Sequence, residues 1–411
     1  MNEGNCRFCA TPLKHTFVDL GMSPFSNAYL SAKKLHRMEP FYPLHVFVCE
    51  SCFLVQLEEF ESPQRIFSDY AYFSSYSDSW VEHMRRYALA MIERLGLDGT
   101  SQVAEIASND GYLLRHFKAK GIPVLGVEPA ANVAAVAQQA GIPTRVMFFG
   151  KETATELAAE NLHADLLVGN NVLAHVPDIN DFVAGLKTLL KPTGVVTMEF
   201  PHLLRLMESN QFDTIYHEHF SYFSLLSVER IFVAHGLVLF DVEELPTHGG
   251  SLRIYARHAE DCARPVTTAV DGLRERERQA GLDGLVAYAD FAEAVKETKR
   301  TLLDFLITAK RAGKSIVGYG APAKGNTLLN YCGIRGDFID YTVDRSPHKQ
   351  GLFLPGTHIP IHHPDKIRET RPDYLLILPW NLKDEVMEQM ADIRQWGAKF
   401  VVPIPRVEVL E

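Results

Sequence analysis

Between residues 103 and 200 short apolar runs alternate with helical stretches, and that alternation leaves the chain few folds to choose from. The runs are Val103-Ala104-Glu105-Ile106-Ala107, Val124-Leu125-Gly126-Val127-Glu128-Pro129, 144–149, 164–171 and 194–200, with helical patterns at 112–120, 131–141, 151–160 and 178–191. Each run is too short for a helix and nearly continuous in apolar residues, as a strand covered on both faces requires. A strand that returns through a helix lies parallel to its predecessor, so the expected core is α/β, a doubly wound parallel sheet entered from helical residues 80–95. After a helix at 227–235 come two further runs, 237–242 and 251–256, joined only by a loop holding Pro246, Gly249 and Gly250. Such strands pair antiparallel and should finish the sheet.

The ends of the strands carry chemistry. After the first strand a dinucleotide fold would show Gly-x-Gly-x-x-Gly, but this chain has Glu105-Ile106-Ala107-Ser108-Asn109-Asp110-Gly111. One glycine permits the tight turn, and acidic and amide side chains suit a cation and hydroxyls better than a pyrophosphate. Glu128, followed by Pro129 at the end of the second strand, is placed for both hydroxyls of a ribose. These features resemble the class I S-adenosylmethionine methyltransferases, although the commoner Gly-x-Gly is absent. The resemblance implies S-adenosyl-L-methionine as cofactor, with Glu105, Ser108, Asn109, Asp110, Gly111, Glu128, Pro129, Asn170 and Asn171 as its contacts.

Four of the six cysteines form two knuckles, Cys6-x-x-Cys9 and Cys49-x-x-Cys52. Together they complete a tetrahedral Zn²⁺ shell, and four protein ligands leave no open position, so this zinc is expected to be structural. A redox dithiol would want a single Cys-x-x-Cys between a strand and a helix. The 39 residues between the knuckles include the strand-like runs 17–21 and 44–48, consistent with a β-rich insert. Cys262 and Cys332 lack a partner pattern and read as ordinary buried thiols. Residues 67–76 then mix aromatics with hydroxyls without helical period. They read either as a linker packing its rings on the next domain or as a supplier of phenols, Tyr70 and Tyr76, to a pocket at a domain junction.

Asp213-Thr214-Ile215-Tyr216-His217-Glu218-His219-Phe220 packs two histidines, a carboxylate and a phenol into four consecutive positions after the fifth strand. Ligands of doubly wound sheets bind on that side, and so does His175, which follows the fourth strand. Residues 263–312 read as one or two long helices with a break at Gly281 and Gly284. A second α/β unit follows: the strand 315–319 runs into Gly320-Ala321-Pro322-Ala323-Lys324-Gly325-Asn326-Thr327, which opens a helix. Glycines there let backbone N–H groups approach a phosphate, with Lys324 adding charge, although the pattern is not a Walker A loop. The plainer reading is a Rossmann-like scaffold whose glycines only turn. Further strands are expected at 338–344, 374–379 and 400–403.

Three segments follow: a zinc-binding module over 1–66, a methyltransferase domain over 67–262, and a helical bridge with a Rossmann-like domain over 263–411. This architecture resembles the nucleotide-sugar C-3′-methyltransferases of deoxysugar biosynthesis. The marks are Glu-x-Ala-Ser-Asn-Asp-Gly, Tyr-His-Glu-His-Phe and Gly-Tyr-Gly-Ala-x-Ala-Lys-Gly-Asn-Thr, all present. The resemblance implies that His219 is the general base and that Tyr216, Glu218, His175 and Tyr70 line its pocket. It also implies that Tyr76, Tyr319, Ala321, Lys324, Asn326, Thr327 and Lys349 meet a nucleotide-diphosphate 4-keto-deoxysugar. His217 is left as structural.

Two other functions remain open. In an extended segment His217 and His219 share a face, so with His175 they would serve a metal-dependent hydrolase. The same fold without catalysis would be a ligand-binding protein. The net charge is −10 and no basic cluster occurs, which argues against a nucleic-acid or membrane surface. The N-terminus has no secretory pattern and no run of about 18 apolar residues appears, so a cytoplasmic protein with reduced thiols is expected, as a monomer.

Overall fold

The computed structural model describes residues 4–62, 74–76 and 78–411; Tyr70 lies outside the described residues. The chain divides into two compact units, each assembled from separated segments. The first comprises Met1–Lys14, Cys49–His202 and Phe220–Gly284, and the second His15–Val48, Leu203–His219 and Leu285–Glu411.

In the first unit seven strands form one sheet in the order Leu237–Leu245, Ser251–His258, Leu190–Pro201, Ala164–Asn170, Val103–Ile106, Val124–Val127, Thr144–Arg145. The last five are mutually parallel, and Ser251–His258 runs antiparallel to both its neighbours. This is the class I methyltransferase arrangement. Val103–Ile106 is buried throughout, because helices cover both faces of the central strands. The third expected strand shrinks to Thr144–Arg145, and Val146 and Phe148 are exposed beyond it. Its single neighbour, Val124–Val127, is itself only four residues long. Two pieces too short to read from sequence, Val55–Leu57 and Ser221–Tyr222, pair antiparallel in this unit.

The second unit has a six-stranded sheet ordered Ile361–His362, Thr342–Val343, Ile316–Tyr319, Tyr374–Ile377, Lys399–Val402, Glu408–Leu410, parallel except for the last pair. It also holds the antiparallel hairpin His15–Ser23 with Tyr42–Val48, which is the expected insert between the knuckles. The expected long helices resolve into Thr268–Gln279 in the first unit and Val286–Ala289 and Phe291–Arg311 in the second. Gly281, in the left-handed region at φ 78°, stops the first of them. Cys332 is buried as expected, but Cys262 is exposed, in the short turn that follows the strand Ser251–His258. No helix among the described residues is long and apolar enough to cross a membrane.

Candidate active site

The turn after Val103–Ile106 is built from strained backbone. Ala107, Asn109 and Gly111 all have positive φ, at 55°, 49° and 78°. Gly111 has no substitute here, because a Cβ would stand 2.9 Å from Ile142 Cγ1. Glu128 pins the turn: its carboxylate accepts the N–H of Asn109 at 2.9 Å and of Ala130 at 2.8 Å. Burial nevertheless pushes its pKa up, with those two amides opposing. Ser108 is fully buried, and Gly126 on the next strand makes room for it, since a methyl there would lie 2.4 Å from Ser108 Oγ. Ser74 and Ser75 donate backbone N–H groups to Asn109 Oδ1 (2.9 Å) and Asp110 Oδ2 (3.2 Å). The end of the aromatic segment is thereby held at this turn, with Tyr76 exposed.

The turn is also short of cations. Glu105 is fully buried, neither of its carboxylate oxygens has a hydrogen-bond partner among the described residues, and Asp110 Oδ1 has none either. Burial raises the Glu105 pKa well above the carboxylate range, opposed by the nearby Tyr112 hydroxyl. Unsatisfied buried carboxyls are costly unless something arrives to pair with them. The sulfonium and ammonium of S-adenosylmethionine fit that need, and Glu128 retains lone pairs for ribose hydroxyls. Pro129 follows Glu128 directly. Asn170 and Asn171 end the neighbouring strand, where Asn171 Nδ2 and His248 Nε2 lie 2.9 Å apart. His175 sits half-buried in the short turn Leu173–His175 beyond them.

One cluster on this rim was not anticipated. Glu199 is fully buried and holds Arg253 Nη2 at 2.6 Å, His83 Nε2 at 3.1 Å and Thr247 Oγ1 at 2.9 Å. Burial pushes its carboxyl up, but the His83 hydrogen bond and the Arg253 charge outweigh that and keep it below its usual range. The signal was available: a carboxylate inside the apolar run Val195-Val196-Thr197-Met198-Glu199-Phe200 must have partners.

Cys6, Cys9, Cys49 and Cys52 converge with all four Sγ atoms within 4.8 Å of one another. Sγ–Sγ distances are 3.5 Å for Cys6–Cys52 and Cys9–Cys49. Tetrahedral zinc with Zn–S near 2.3 Å wants edges of about 3.8 Å, so the residues fit the ion. Gln56 Nε2 donates to Cys6 Sγ at 3.1 Å while Gln56 Oε1 accepts from Arg7 N at 2.8 Å, orienting one ligand. Among the described residues this is the only group of three or more His, Cys, Asp or Glu side chains able to share a metal.

In the second unit the Asp213–His219 stretch is a turn and not the extended segment that the hydrolase reading assumed. His219 N bonds Tyr216 O at 2.9 Å, which folds the backbone and sends the two imidazoles to different partners. His217 is 3% exposed, lies edge-on to Phe25 and Tyr42, and sets Nε2 3.2 Å from Pro43 O. Burial lowers its pKa to about 4, the Pro43 and Tyr42 backbone opposing. His219 is half-buried, with Nδ1 2.9 Å from Thr214 O. A carbonyl only accepts, so Nδ1 carries the proton and Nε2 is the basic nitrogen. The Tyr216 ring packs on His219 at 4.0 Å. Glu218 is 4% exposed, and Asn27 Nδ2 donates to its Oε1 at 2.7 Å. Burial pushes its pKa up to about 7 against that bond.

The glycine loop Gly320 to Lys324 is more committed to protein than its sequence suggested. Asn326 and Thr327 are each 1% exposed; Asn326 Nδ2 donates to Ser26 O at 2.6 Å and Thr327 Oγ1 to Ile215 O at 2.9 Å. Asp344 accepts the Ala321 N–H at 2.8 Å. Tyr319 donates to Gln389 Oε1 at 2.7 Å. Lys349 Nζ donates to Ala321 O at 2.8 Å and Lys324 Nζ to Asn381 Oδ1 at 2.7 Å, the latter over the Trp380 ring. Trp380 Nε1 in turn donates to Asp213 Oδ2 at 2.7 Å. Burial lifts the Asp213 pKa to about 6, opposed by Lys324. The helix after the loop therefore serves first to hold the Asp213–His219 turn. Sequence alone does not reveal which face of a glycine-rich motif points inward.

Family models match three consecutive stretches: a zinc binding domain over residues 6–67, a methyltransferase domain over 80–242, and a C-methyltransferase C-terminal domain over 246–405. The C-methyltransferase NovU of Streptomyces niveus is 36% identical over 405 residues, 98% of this chain and 96% of that protein. A ubiquinone biosynthesis O-methyltransferase of Rhodopseudomonas palustris (strain BisA53) is 25% identical over 97 residues, 24% of this chain and 38% of its own. Among solved structures, 1,6-didemethyltoxoflavin-N1-methyltransferase of Burkholderia thailandensis covers 50% of this chain and 95% of its own, at 18% identity and a TM-score of 0.37.

Proposed function

The chain belongs to the C-methyltransferase family, as an S-adenosylmethionine-dependent enzyme with a zinc-binding module, and we propose that it methylates C3 of a nucleotide-diphosphate 4-keto-deoxysugar with His219 as base. The observation that supports this reading is the Nδ1 contact of His219 with Thr214 O, which puts the ring proton on Nδ1 and so favours Nε2 for accepting a proton.

A carbon nucleophile at C3 needs that carbon's proton removed, and a C4 ketone makes removal feasible by taking the charge as an enolate. An imidazole suits the task because it titrates near neutrality. The bound cofactor supplies an electrophilic methyl group. Glu218, raised to about 7 by burial, is substantially protonated at neutral pH and in that form donates a hydrogen bond where the enolate oxygen develops. Tyr216 holds the imidazole plane by packing on it. Lys324 Nζ holds the neutral oxygen of Asn381, which a diphosphate oxygen outcompetes, Lys349 Nζ lies between Ala321 O and the Asp344 carboxylate at 3.6 Å, and the first-turn amides of the helix Ala323–Cys332 favour the same charge.

The test is turnover of a 4-keto nucleotide sugar. His219→Ala and His219→Asn should lower kcat by roughly 10²–10⁴-fold without a change in melting temperature. They should also abolish exchange of the C3 hydrogen into D₂O when cofactor is withheld. Near-wild-type turnover or exchange in either variant rejects His219 as the base. S-adenosylhomocysteine that forms only when keto sugar is added rules out a catalytically silent binder.

A further inference from the structure

The segment 24–30, at the end of the strand His15–Ser23, belongs to the hairpin between the zinc knuckles, and nothing in its sequence advertises a catalytic part. In the second unit it grips three pieces at once. Ser26 O receives Asn326 Nδ2 at 2.6 Å, from the helix after the glycine loop. Asn27 Nδ2 reaches Glu218 Oε1 at 2.7 Å. Tyr29 donates to Ala321 O at 2.5 Å, an oxygen also held by Lys349, whose ammonium lies 5.3 Å from the Tyr29 ring centroid. Leu30 exchanges both backbone hydrogen bonds with Phe353, at 3.0 and 2.8 Å.

Asn27 is exposed, as is Ala28, between the buried Ser26 and Leu30, and its amide reaches inward to a carboxyl that is 4% exposed. We propose that Asn27 is a positioning residue of the methyl-transfer reaction: by occupying Glu218 Oε1 with a donor it leaves Oε2 as the oxygen that carries the proton and presents it to the substrate's C4 oxygen. The amide N–H tolerates no hydrogen on Oε1, so the carboxyl has one useful protonated form instead of two.

The groups around Glu218 allow that choice to be made by Asn27. Burial and the Asn27 bond set its ionisation. Tyr216, His217 and His219 flank it on its own turn, with His217 and His219 facing the carbonyls of Pro43 and Thr214. From the 24–30 segment the ionisable group is Tyr29, whose own pKa is raised by burial and in part by the Glu218 charge; Lys349 and Asp344 lie beyond it.

The inference rests on the function proposed above, and the experiment separates the two. Wild type, Asn27→Ala, Asn27→Asp, Glu218→Ala and Asn27→Ala/Glu218→Ala are assayed for keto-sugar-dependent S-adenosylhomocysteine from pH 5.5 to 9.5. Asn27→Ala should lower kcat about 10-fold with KM for both substrates within about twofold. Its alkaline limb should move up by about one pH unit, because the ionised carboxylate has lost its donor. Asn27→Asp, the isosteric variant, should move that limb at least as far, since a second carboxylate draws the proton between the pair. In the Glu218→Ala background, which leaves Asn27 nothing to position, Asn27→Ala should change kcat by less than about twofold. An unmoved limb, or an equal loss in the Glu218→Ala background, overturns the inference alone, because Asn27 would then act without Glu218. No turnover by the wild type overturns the function and the inference with it.

Discussion

Replacing Glu218 by Gln offers a direct reading of what the Asp213–His219 turn costs the fold. The carboxyl is 4% exposed, and burial pushes its pKa from 4.5 up to about 7. A folded-state pKa above the unfolded one means that the protonated form contributes stability in full below about pH 4.5, and that this contribution is lost as pH rises through about 7. The interval between those values, at roughly 1.36 kcal/mol per pH unit, comes to about 3 kcal/mol of destabilisation at pH 9. Gln keeps an oxygen for Asn27 Nδ2 and carries no charge at any of these pH values. Relative to wild type the variant should therefore be near neutral in stability at pH 4.5 and more stable by up to about 3 kcal/mol at pH 9, while losing most of its turnover. Urea unfolding of both proteins at pH 4.5, 7 and 9 measures the difference, and titrations shared by the two cancel in it. A stability difference that does not vary with pH, or a Gln variant less stable at pH 9, would refute the reasoning.

Metal analysis should find one zinc per chain, with Cys49→Ser or Cys52→Ser losing it and lowering the melting temperature; a second equivalent of metal retained by those variants would contradict the four-cysteine assignment. Gly111→Ala must place a methyl 2.9 Å from Ile142 Cγ1 at a φ of 78°, where the branched Ile142 side chain has little freedom to withdraw. Left-handed backbone and overpacking together should cost roughly 2–4 kcal/mol and weaken S-adenosylmethionine binding by calorimetry; unchanged affinity would show that the turn does not shape the cofactor site.

Legibility in the sequence followed the range of the physics involved. The parallel sheet announced itself because each central strand is covered on both faces and so reads as an apolar run, as with Val103–Ile106. The cysteine shell was readable because a Cys-x-x-Cys spacing already limits where its two thiolates reach. Glu105 could be noticed as an acid in an apolar strand, but that no hydrogen bond reaches its oxygens among the described residues is a property of the packed turn. The Asp213–His219 stretch was recognised by composition, but its shape was open: the hydrogen bond from His219 N to Tyr216 O folds it, so the two imidazoles that would share a face on a strand do not. Asn326 and Thr327 looked like ligand contacts because they follow a glycine loop; in the fold their side chains brace Ser26 and Ile215. Asn27 was invisible, since its importance lies entirely in a partner 191 positions away.

Sequence by itself determined which local chemistries this protein possesses: a four-thiolate shell, an acidic turn after the first strand, an imidazole pair beside a carboxyl, and the alternation that makes the sheet. Each depends on residues close in the chain, whose spacing and polarity already limit the outcome. Tertiary structure alone decided how those pieces are shared out. The knuckles belong to the first unit while the hairpin between them belongs to the second, and the chain passes from the second unit back to the first between His219 and Phe220. It also decided that the His217 imidazole is pushed down and the Glu218 carboxyl raised towards neutrality. Those properties come from burial and from donors brought in from distant segments, and no pattern along the chain records them.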